Sequence, residues 1–262
     1  DEVYRSVDFG ATTLMLAHSA MQHLNKGLAE GHGDAGRAKA KEFIYHRTVE
    51  ILAKYRQNTS AMSSPGSQLI LPERMQLFPL YAMCLVKSPL FRPGLARRST
   101  ATDGVYMAPS GDERALFQSY LASSNPATVM LLVHPMILDA STDECRYEPS
   151  GFAEQVGTVN LPDPLLPSMA DMQDDGIYLI DNGLTIYLHV GKDAPQVFRD
   201  SAAAGKDVLL EQHPSLKNML WQLQTWNGTV TGSESHMRPY PAFEVNLQHD
   251  GQPLHSSILE LM

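Results

Sequence analysis

The chain has 262 residues, of which 43% are hydrophobic and 19% are charged, and its formal net charge is −9. This composition suits a folded chain with a buried core and excludes disorder throughout, collagen and coiled coil. The best candidate for a membrane span, Val129 to Leu138, is too short and contains a proline, and the negative charge argues against nucleic-acid binding. Two cysteines, Cys84 and Cys145, make neither a disulfide framework nor a zinc site, so we expect reduced thiols.

Two long helices are predicted at the start of the chain. The second is expected to begin after Asp34, a good N-cap, and to run to about Gln57. The first is predicted over residues 6–27 by apolar residues three or four positions apart, namely Val7, Ala11, Leu14, Ala17, Met21, Leu24 and Leu28.

Two shorter helices are predicted next. One opens with Pro72 in its first turn, and Pro79 kinks it or splits it into two. Ser110 and Glu113 match a capping box, which predicts a further helix over about 111–122.

The pattern after residue 120 indicates strands mixed with helices. The apolar run Val129–Val133 predicts a buried strand. Two strands around Asn182-Gly183 predict a hairpin with these two residues at a type I′ tip. Helices are expected to begin at Pro195 and Pro214, and a last strand is predicted from the alternation of Phe243, Val245 and Leu247.

Charge changes along the chain together with periodicity. Residues 1–120 carry 14 Lys and Arg against 11 Asp and Glu, whereas residues 121–262 carry 6 against 18. We therefore predict an α+β chain with two domains, an all-α domain at 1–122 and a domain at 123–262 with a mixed β-sheet between helices.

Several motifs resemble catalytic or ligand sites, but each has a simpler interpretation. Gly31 to Gly36 matches the G-x-G-x-x-G pattern without the preceding strand that dinucleotide binding requires, so we interpret it as a flexible linker between helices. His46 and Glu50 lack a third metal ligand, and His18 is interpreted as a structural histidine. Ser233 to His236 is interpreted as a polar turn. We predict no catalytic residue and no metal site.

One basic cluster remains as a candidate for binding. Arg92, Arg97 and Arg98 lie in or beside a loop rich in proline, glycine and serine. Such a cluster is suited to an acidic partner or an anionic lipid, although a solvated loop is the better interpretation. These three arginines are the only surface positions that the sequence singles out.

Two segments carry a resemblance to a known family. LPERMQLFPLYAMCLVKSPLFR, Leu71 to Arg92, resembles the helical domain of the inner-coat cargo-adaptor subunit of the COPII vesicle coat, as does the segment Glu2 to Leu24. DDGIYLIDNGLTIYLHVGKDA, Asp174 to Ala194, is similar to gelsolin-like repeats, and the cargo adaptor ends with such a domain. The second domain is therefore expected to be gelsolin-like.

The resemblance implies a function for a longer protein of which this chain would be a part. That protein would select cargo and help build vesicles between the endoplasmic reticulum and the Golgi, as a cytoplasmic protein peripheral on the membrane. Its partners would be the sister inner-coat subunit, the small GTPase of the coat, the outer coat and cargo proteins. The resemblance implies zinc only in a region upstream of this chain, and no cofactor within it.

Two other protein classes share parts of these patterns. The sister coat subunit, which stimulates the coat GTPase, has the same layout, and a gelsolin-class actin-binding protein has the repeat. In calcium-binding repeats an acidic residue before the central strand binds the ion, and Asp174 or Asp175 stands there. The helix expected at 214–226 contains no Asp or Glu to complete the site, and Glu211 lies upstream of it. We therefore expect no tight calcium binding.

Overall fold

The computed structural model divides into two compact units, residues 1–133 and 134–262, each with its own buried apolar residues. No helix in the described part of the chain is both long and apolar enough to cross a membrane. The structure describes residue 4 and the ranges 6–58, 69–92, 109–141, 147–149, 157–159, 161–166, 168, 172–225 and 242–249.

The described part of the first unit contains helices joined by turns, and no strand. Its central helix, α1, packs against the four other helices. The predicted apolar stripe is confirmed at Ala17, Met21 and Leu24, which are buried, whereas Leu28 is exposed. The elements are α1 Phe9–Ala29, α2 Gly33–Asn58, a 3-10 turn Glu73–Met75, α3 Phe78–Lys87, α4 Gly111–Ser123 and α5 Pro126–Val133.

The glycine-rich motif forms a tight junction between α1 and α2. Gly31 has φ 77°, and the His32 amide donates to the Gly27 carbonyl at 2.8 Å while the Gly31 amide donates to Leu28 at 3.0 Å. This is the hydrogen-bond pattern of a Schellman motif. A Cβ added to Gly27 would lie 2.6 Å from the Cα of Gly36, so the two glycines let the helices cross closely. The interpretation as a flexible linker was wrong in that respect.

The predicted helix starts and stops are confirmed in part. α2 begins at Gly33, so Asp34 lies in its first turn and is not the N-cap that the sequence predicted. The predicted split near Pro79 is confirmed, because the 3-10 turn ends before α3 begins. Pro79 lies in the first turn of α3, where its missing N–H costs no hydrogen bond. The capping box is confirmed, with the Glu113 amide donating to Ser110 Oγ at 3.1 Å.

The strand predicted at Val129–Val133 is wrong, because this run is helix α5. Asn125 accepts a hydrogen bond from the Thr128 amide through its side-chain oxygen at 2.9 Å, which caps the helix, and Pro126 supplies its first residue. A short apolar run does not distinguish a buried strand from a buried helix by periodicity. α5 packs against α1, α3 and α4, so the first unit extends beyond the predicted domain limit at residue 122.

The second unit contains a mixed sheet of four strands in the order β1-β4-β5-β6. β5 pairs parallel with β6, and the other two pairings are antiparallel. The α+β class is therefore confirmed. The elements are β1 Met136–Asp139, β2 Tyr147–Pro149, β3 Gly157–Val159, β4 Ile177–Asp181, β5 Thr185–Val190, α6 Gln196–Ala204, α7 Lys206–Gln212, α8 Pro214–Thr225 and β6 Ala242–Leu247, with β2 and β3 pairing separately.

The predicted hairpin is confirmed, with its tip moved by one residue. The Asn182 amide donates to the Thr185 carbonyl at 3.3 Å, so Gly183 and Leu184 are the two loop residues. Gly183 occupies the first loop position and has φ 88°, a positive value that type I′ and type II′ turns both need at this position. Asn182 acts through its side-chain oxygen, which accepts from the amides of Leu184 and Thr185 at 3.0 and 2.8 Å.

The two faces of the sheet differ. One face packs on α6, α7 and α8 through residues such as Leu188, Leu209 and Leu216. On the other face, Tyr178 and Ile180 pack with Leu165 and Met172 of the preceding segment. Among the described residues, this second face is therefore covered by an irregular segment and not by a helix.

A polar row crosses the second face. Tyr178 on β4, His189 on β5 and Asn246 on β6 are in register, and the rings of Tyr178 and His189 stack at 6.4 Å between centroids. His189 is only 3% exposed. Burial lowers its pKa from 6.5 to about 4, against a smaller opposite effect of the Asp174 carboxylate. His189 is therefore neutral in the folded chain.

Replacing Gly27 by alanine is expected to lower the free energy of unfolding by about 1–3 kcal/mol, because the new Cβ would press on the Gly36 backbone. Urea denaturation of both proteins measures the difference. Gly33→Ala is the matched control, since the nearest atom there is the flexible Arg37 side chain at 3.7 Å and alanine favours helix. A Gly27→Ala variant as stable as the wild type would contradict the close crossing.

The neutral state of His189 predicts a pH dependence of stability. Between pH 6.5 and about 4 the unfolded chain binds a proton at this residue and the folded chain does not, so stability falls as the pH falls through this window. The expected loss is about 3 kcal/mol at most. Thermal unfolding of wild type and His189→Phe across this range isolates the contribution. Parallel curves for the two proteins would refute it.

Candidate partner-binding surface

Three elements of the first unit bring four basic side chains together. α2 carries Arg37 and Lys41, which lie one turn apart on the same face. Arg92 follows the end of α3, and Arg114 lies in α4. All four residues are partly buried. We call these four residues the basic cluster.

Arg92 ties the cluster to the backbone. Its Nε donates to the carbonyl of Lys87, the last residue of α3, at 2.7 Å. Its own carbonyl accepts a hydrogen bond from Nη2 of Arg114 at 3.2 Å. Carbonyls at a helix C-terminus lack hydrogen-bond partners within the helix. Arg92 therefore provides a donor for the last carbonyl of α3, and its own carbonyl links this end of α3 to α4.

Arg37 is held by an ion pair on its own helix. Its Nη1 lies 2.7 Å from Oδ1 of Asp34. The side chain of Arg37 is 16% exposed, whereas that of Asp34 is 62% exposed. The guanidinium is thus oriented and largely removed from water, while its carboxylate partner remains solvated.

The charges of the cluster repel one another. Burial, and then the charge of Arg92, lower the pKa of Lys41. Burial, and then the charge of Arg37, lower the pKa of Arg114, whereas Asp34 and Glu113 act in the opposite direction. Both directions mean that the positive forms are less stable here than in water.

The structure changes the set of candidate binding residues. Of the three predicted arginines, Arg92 belongs to the basic cluster, whereas Arg97 and Arg98 lie outside the described residues. The sequence missed the other three members because they lie on α2 and α4, far from Arg92 along the chain. The spacing of four between Arg37 and Lys41 is the one local signal that was available.

The pair His46 and Glu50 does not form a site. His46 Nε2 lies 3.5 Å from Glu42, and Glu50 instead accepts hydrogen bonds from Arg47 and Lys54. Across the part of the chain that the structure describes, no group of three His, Cys, Asp or Glu side chains is arranged to hold a metal ion.

His18 and His213 make structural contacts. The structural interpretation of His18 is confirmed, because its Nε2 lies 3.0 Å from the Leu121 carbonyl. Ser201 and His213 are 2.9 Å apart, yet the Ser201 hydroxyl donates to the Phe198 carbonyl at 2.8 Å. His213 must then be the donor to Ser201, which is the wrong direction for a general base. The polar segment 233–236 lies outside the described residues.

The acidic residue considered for calcium has a different partner. Lys192 Nζ lies 2.9 Å from Oδ2 of Asp174 and 3.6 Å from Asp193. The hydrogen bond that the Lys192 ammonium donates to the Asp174 carboxylate, and then the charge of that carboxylate, raise the pKa of Lys192. The Asp174 carbonyl accepts from the Asp193 amide at 2.9 Å, and a Cβ on Gly191 would lie 2.1 Å from that carbonyl oxygen.

Comparison with known proteins matches both units in order. Residues 8–131 match the Sec23/Sec24 helical domain, and residues 158–212 match the gelsolin repeat. SEC24-1 of Naumovozyma castellii is 30% identical over 208 residues, covering 76% of this chain and 20% of that protein. These matches support a fragment of a Sec24-type COPII coat subunit.

Further Sec24 relatives support this assignment. SEC24 of Lachancea kluyveri is 30% identical over 245 residues, which are 91% of this chain and 24% of that protein. Human Sec24D is 29% identical over 155 residues, 59% of this chain and 13% of that protein. The chain therefore spans at most about a quarter of the length of these Sec24 relatives.

The fold is also found in a solved structure. The crystal structure of the human COPII-coat protein Sec24c matches 94% of this chain and 29% of its own, with a TM-score of 0.60 and 20% sequence identity. At this identity the likeness supports the fold alone.

Calcium is expected not to bind tightly to this Sec24-type chain. The Asp174 carboxylate already has the Lys192 ammonium as its partner, and calcium requires six to eight oxygen ligands. Isothermal titration of calcium into the chain should give only the heat of dilution. A saturable micromolar signal that disappears when Asp174 and Asp175 are changed to Asn would overturn this expectation, and magnesium serves as the control ion.

Proposed function

We propose that this chain acts, within a longer protein, in the COPII inner coat, which selects cargo and helps build vesicles that travel from the endoplasmic reticulum to the Golgi. The observation that supports the proposal most is the order of the two matches, helical domain and then gelsolin repeat, on one chain. The relatives named protein transport protein SEC24 support it further.

The proposed partners follow from the same assignment. They are the sister inner-coat subunit, the small GTPase of the coat, the outer coat and cargo proteins, and nucleic acid is not among them. The proposed location is the cytoplasmic surface of the endoplasmic reticulum and of COPII vesicles, where the protein is peripheral on the membrane.

We propose that this part of the protein binds and does not catalyse. Histidine and serine groups that resemble catalytic ones are engaged in packing, as His18 and the pair Ser201 and His213 are. No cofactor is proposed for these residues, and zinc is proposed only for the family's upstream region.

Two alternative functions make different predictions. The helical-domain description covers both coat subunits, so the sister subunit remains an alternative that the Sec24 relatives disfavour. The gelsolin repeat is shared with actin-binding proteins, but the helical domain before it is not expected there.

Affinity purification of the tagged full-length protein from cell extract tests the proposal. Mass spectrometry should identify the sister inner-coat subunit as a major partner, and an unrelated tagged cytoplasmic protein is the control. Stimulation of the coat GTPase by the purified protein without its sister subunit would favour the first alternative. Cosedimentation with filamentous actin, without coat subunits in the purification, would favour the second.

A further inference from the structure

Strand β6 forms an open edge of the four-stranded sheet. It pairs with β5 on one side, and among the described residues no strand pairs with its other side. The Gln248 amide, just after β6, donates to the Val190 carbonyl of β5 at 3.0 Å. Backbone groups alternate in direction along a strand, so the even-numbered residues of β6 face β5. The odd-numbered residues point their amides and carbonyls away from β5, and these are Phe243, Val245 and Leu247.

A lysine protects the start of this edge. Nζ of Lys206, the first residue of α7, donates to the Phe243 carbonyl. Within the described part of the chain, no hydrogen bond reaches the outward amides and carbonyls of Val245 and Leu247. Proteins commonly block an open edge with a lysine, a proline or a bulge in the strand itself. The sequence of β6, AFEVNL, contains neither residue, and its register with β5 is continuous.

The side chains of β6 define what can extend the sheet. Its odd-numbered residues are partly buried against the apolar core on the helical face. Its even-numbered residues lie on the other face, where Asn246 is in register with His189. An added strand must therefore offer apolar side chains on one face and polar ones on the other. β6 itself has this alternation.

A second copy of β6, running antiparallel, fits the unused backbone groups. With a twofold axis beside Asn246, Val245 lies opposite Leu247 of the copy, and each of the two such pairs exchanges two hydrogen bonds. This register uses all the outward groups of Val245 and Leu247. It also leaves the Phe243 carbonyl with Lys206.

The side chains are complementary in the same register. Glu244 lies opposite Gln248 of the copy, so its carboxylate faces an amide and no like charge. Asn246 lies opposite itself. Its Nδ2 is buried without a hydrogen-bond partner in the structure, which is unfavourable for a donor. Rotation of this amide towards the axis brings its Nδ2 to the Oδ1 of the copy.

We propose that the open edge of β6 pairs with the same edge of a second copy of this chain, which joins the two sheets into one. Such an interface is isologous, since both copies contribute the same surface. Each side contributes one strand of six residues, so the contact is small and the dimer should form and dissociate with protein concentration. The inference does not depend on the proposed coat function.

Amide hydrogen exchange of the whole chain, measured by NMR, tests the pairing without a substitution. In dilute protein the Val245 and Leu247 amides should exchange quickly, whereas the Glu244 and Asn246 amides, which face β5, should be protected. Raising the concentration about a hundredfold should slow exchange at Val245 and Leu247 alone, by about tenfold. Sedimentation velocity should show the change from monomer to dimer over the same range.

Two results of the exchange experiment would overturn the proposal. One is a rate at Val245 and Leu247 that does not change with concentration. The other is slow exchange of both amides at the lowest concentration, which would mean that the chain itself covers the edge.

Matched variants at Val245 locate the contact. Val245→Pro removes an outward amide and no bond to β5, and proline is compatible with an edge strand. Because the symmetry removes two hydrogen bonds, the dimer should be at least about tenfold weaker. Val245→Thr has a similar shape and keeps the amide, so it should dimerise nearly as the wild type does. Circular dichroism checks that both variants are folded, and equal dimerisation of the two would contradict the pairing.

A charge at the axis tests the register. Asn246→Asp keeps the size of the side chain and places two carboxylates opposite each other, so the dimer should weaken about fivefold or more near neutral pH. Glu244→Gln is the control and should have little effect. An equal response of these two variants contradicts the register. If the chain stays monomeric, and the purified sister inner-coat subunit protects the Val245 and Leu247 amides, the edge binds that subunit and the proposal of a second copy fails.

Discussion

The close approach of Gly27 and Gly36 is the contact on which the first unit depends. α1 packs against every other helix of that unit, and α2 is its most extensive neighbour. The buried face of α2 is small at the crossing, with Gly36 and Ala40 before the larger Ile44. Any side chain at the crossing would push α2 away and would move Arg37 and Lys41, which belong to the same stretch of helix. The arrangement of the basic cluster is therefore a consequence of two missing Cβ atoms.

A comparable constraint organises the second unit. β5 ends at Val190, and the next residue, Gly191, passes so close to the Asp174 carbonyl that a Cβ would lie 2.1 Å from it. The Gly191 amide donates to the Gly176 carbonyl at 2.9 Å, and this connects the end of β5 to the segment before β4. At the other end of the hairpin, the buried Asp181 carboxylate accepts from the Gly183 amide at 2.8 Å. Backbone approach at one end and a side-chain hydrogen bond at the other hold the hairpin.

The sequence predicted those features whose signal is local. Ser110 and Glu113 are three residues apart, and the side chain of each accepts a hydrogen bond from the backbone of the other. This capping box can therefore be predicted without knowledge of any other element. The hairpin was predicted for a similar reason, yet its tip moved by one residue because Asn182 contributes a side-chain oxygen, which a turn rule based on backbone angles does not consider. α5 was missed because its apolar run has no period. The basic cluster was missed because tertiary packing assembles it from three elements, and only Arg92 was in the predicted set. The gelsolin-like character came from family resemblance and not from periodicity.

The pattern of pKa shifts separates the interior from the surface. Burial is the first cause of the raised pKa of Tyr81 and Cys84 and of the lowered pKa of His134 and His189. Each shift favours the neutral form, as expected for groups enclosed by apolar neighbours. Catalytic groups, in contrast, are commonly tuned by a specific charge partner placed beside them. In this chain ionic partners act on more exposed groups, such as Glu50 with Lys54 and Lys192 with Asp174. Burial therefore favours the neutral form of these four groups, whereas ionic partners favour the charged form of the more exposed groups.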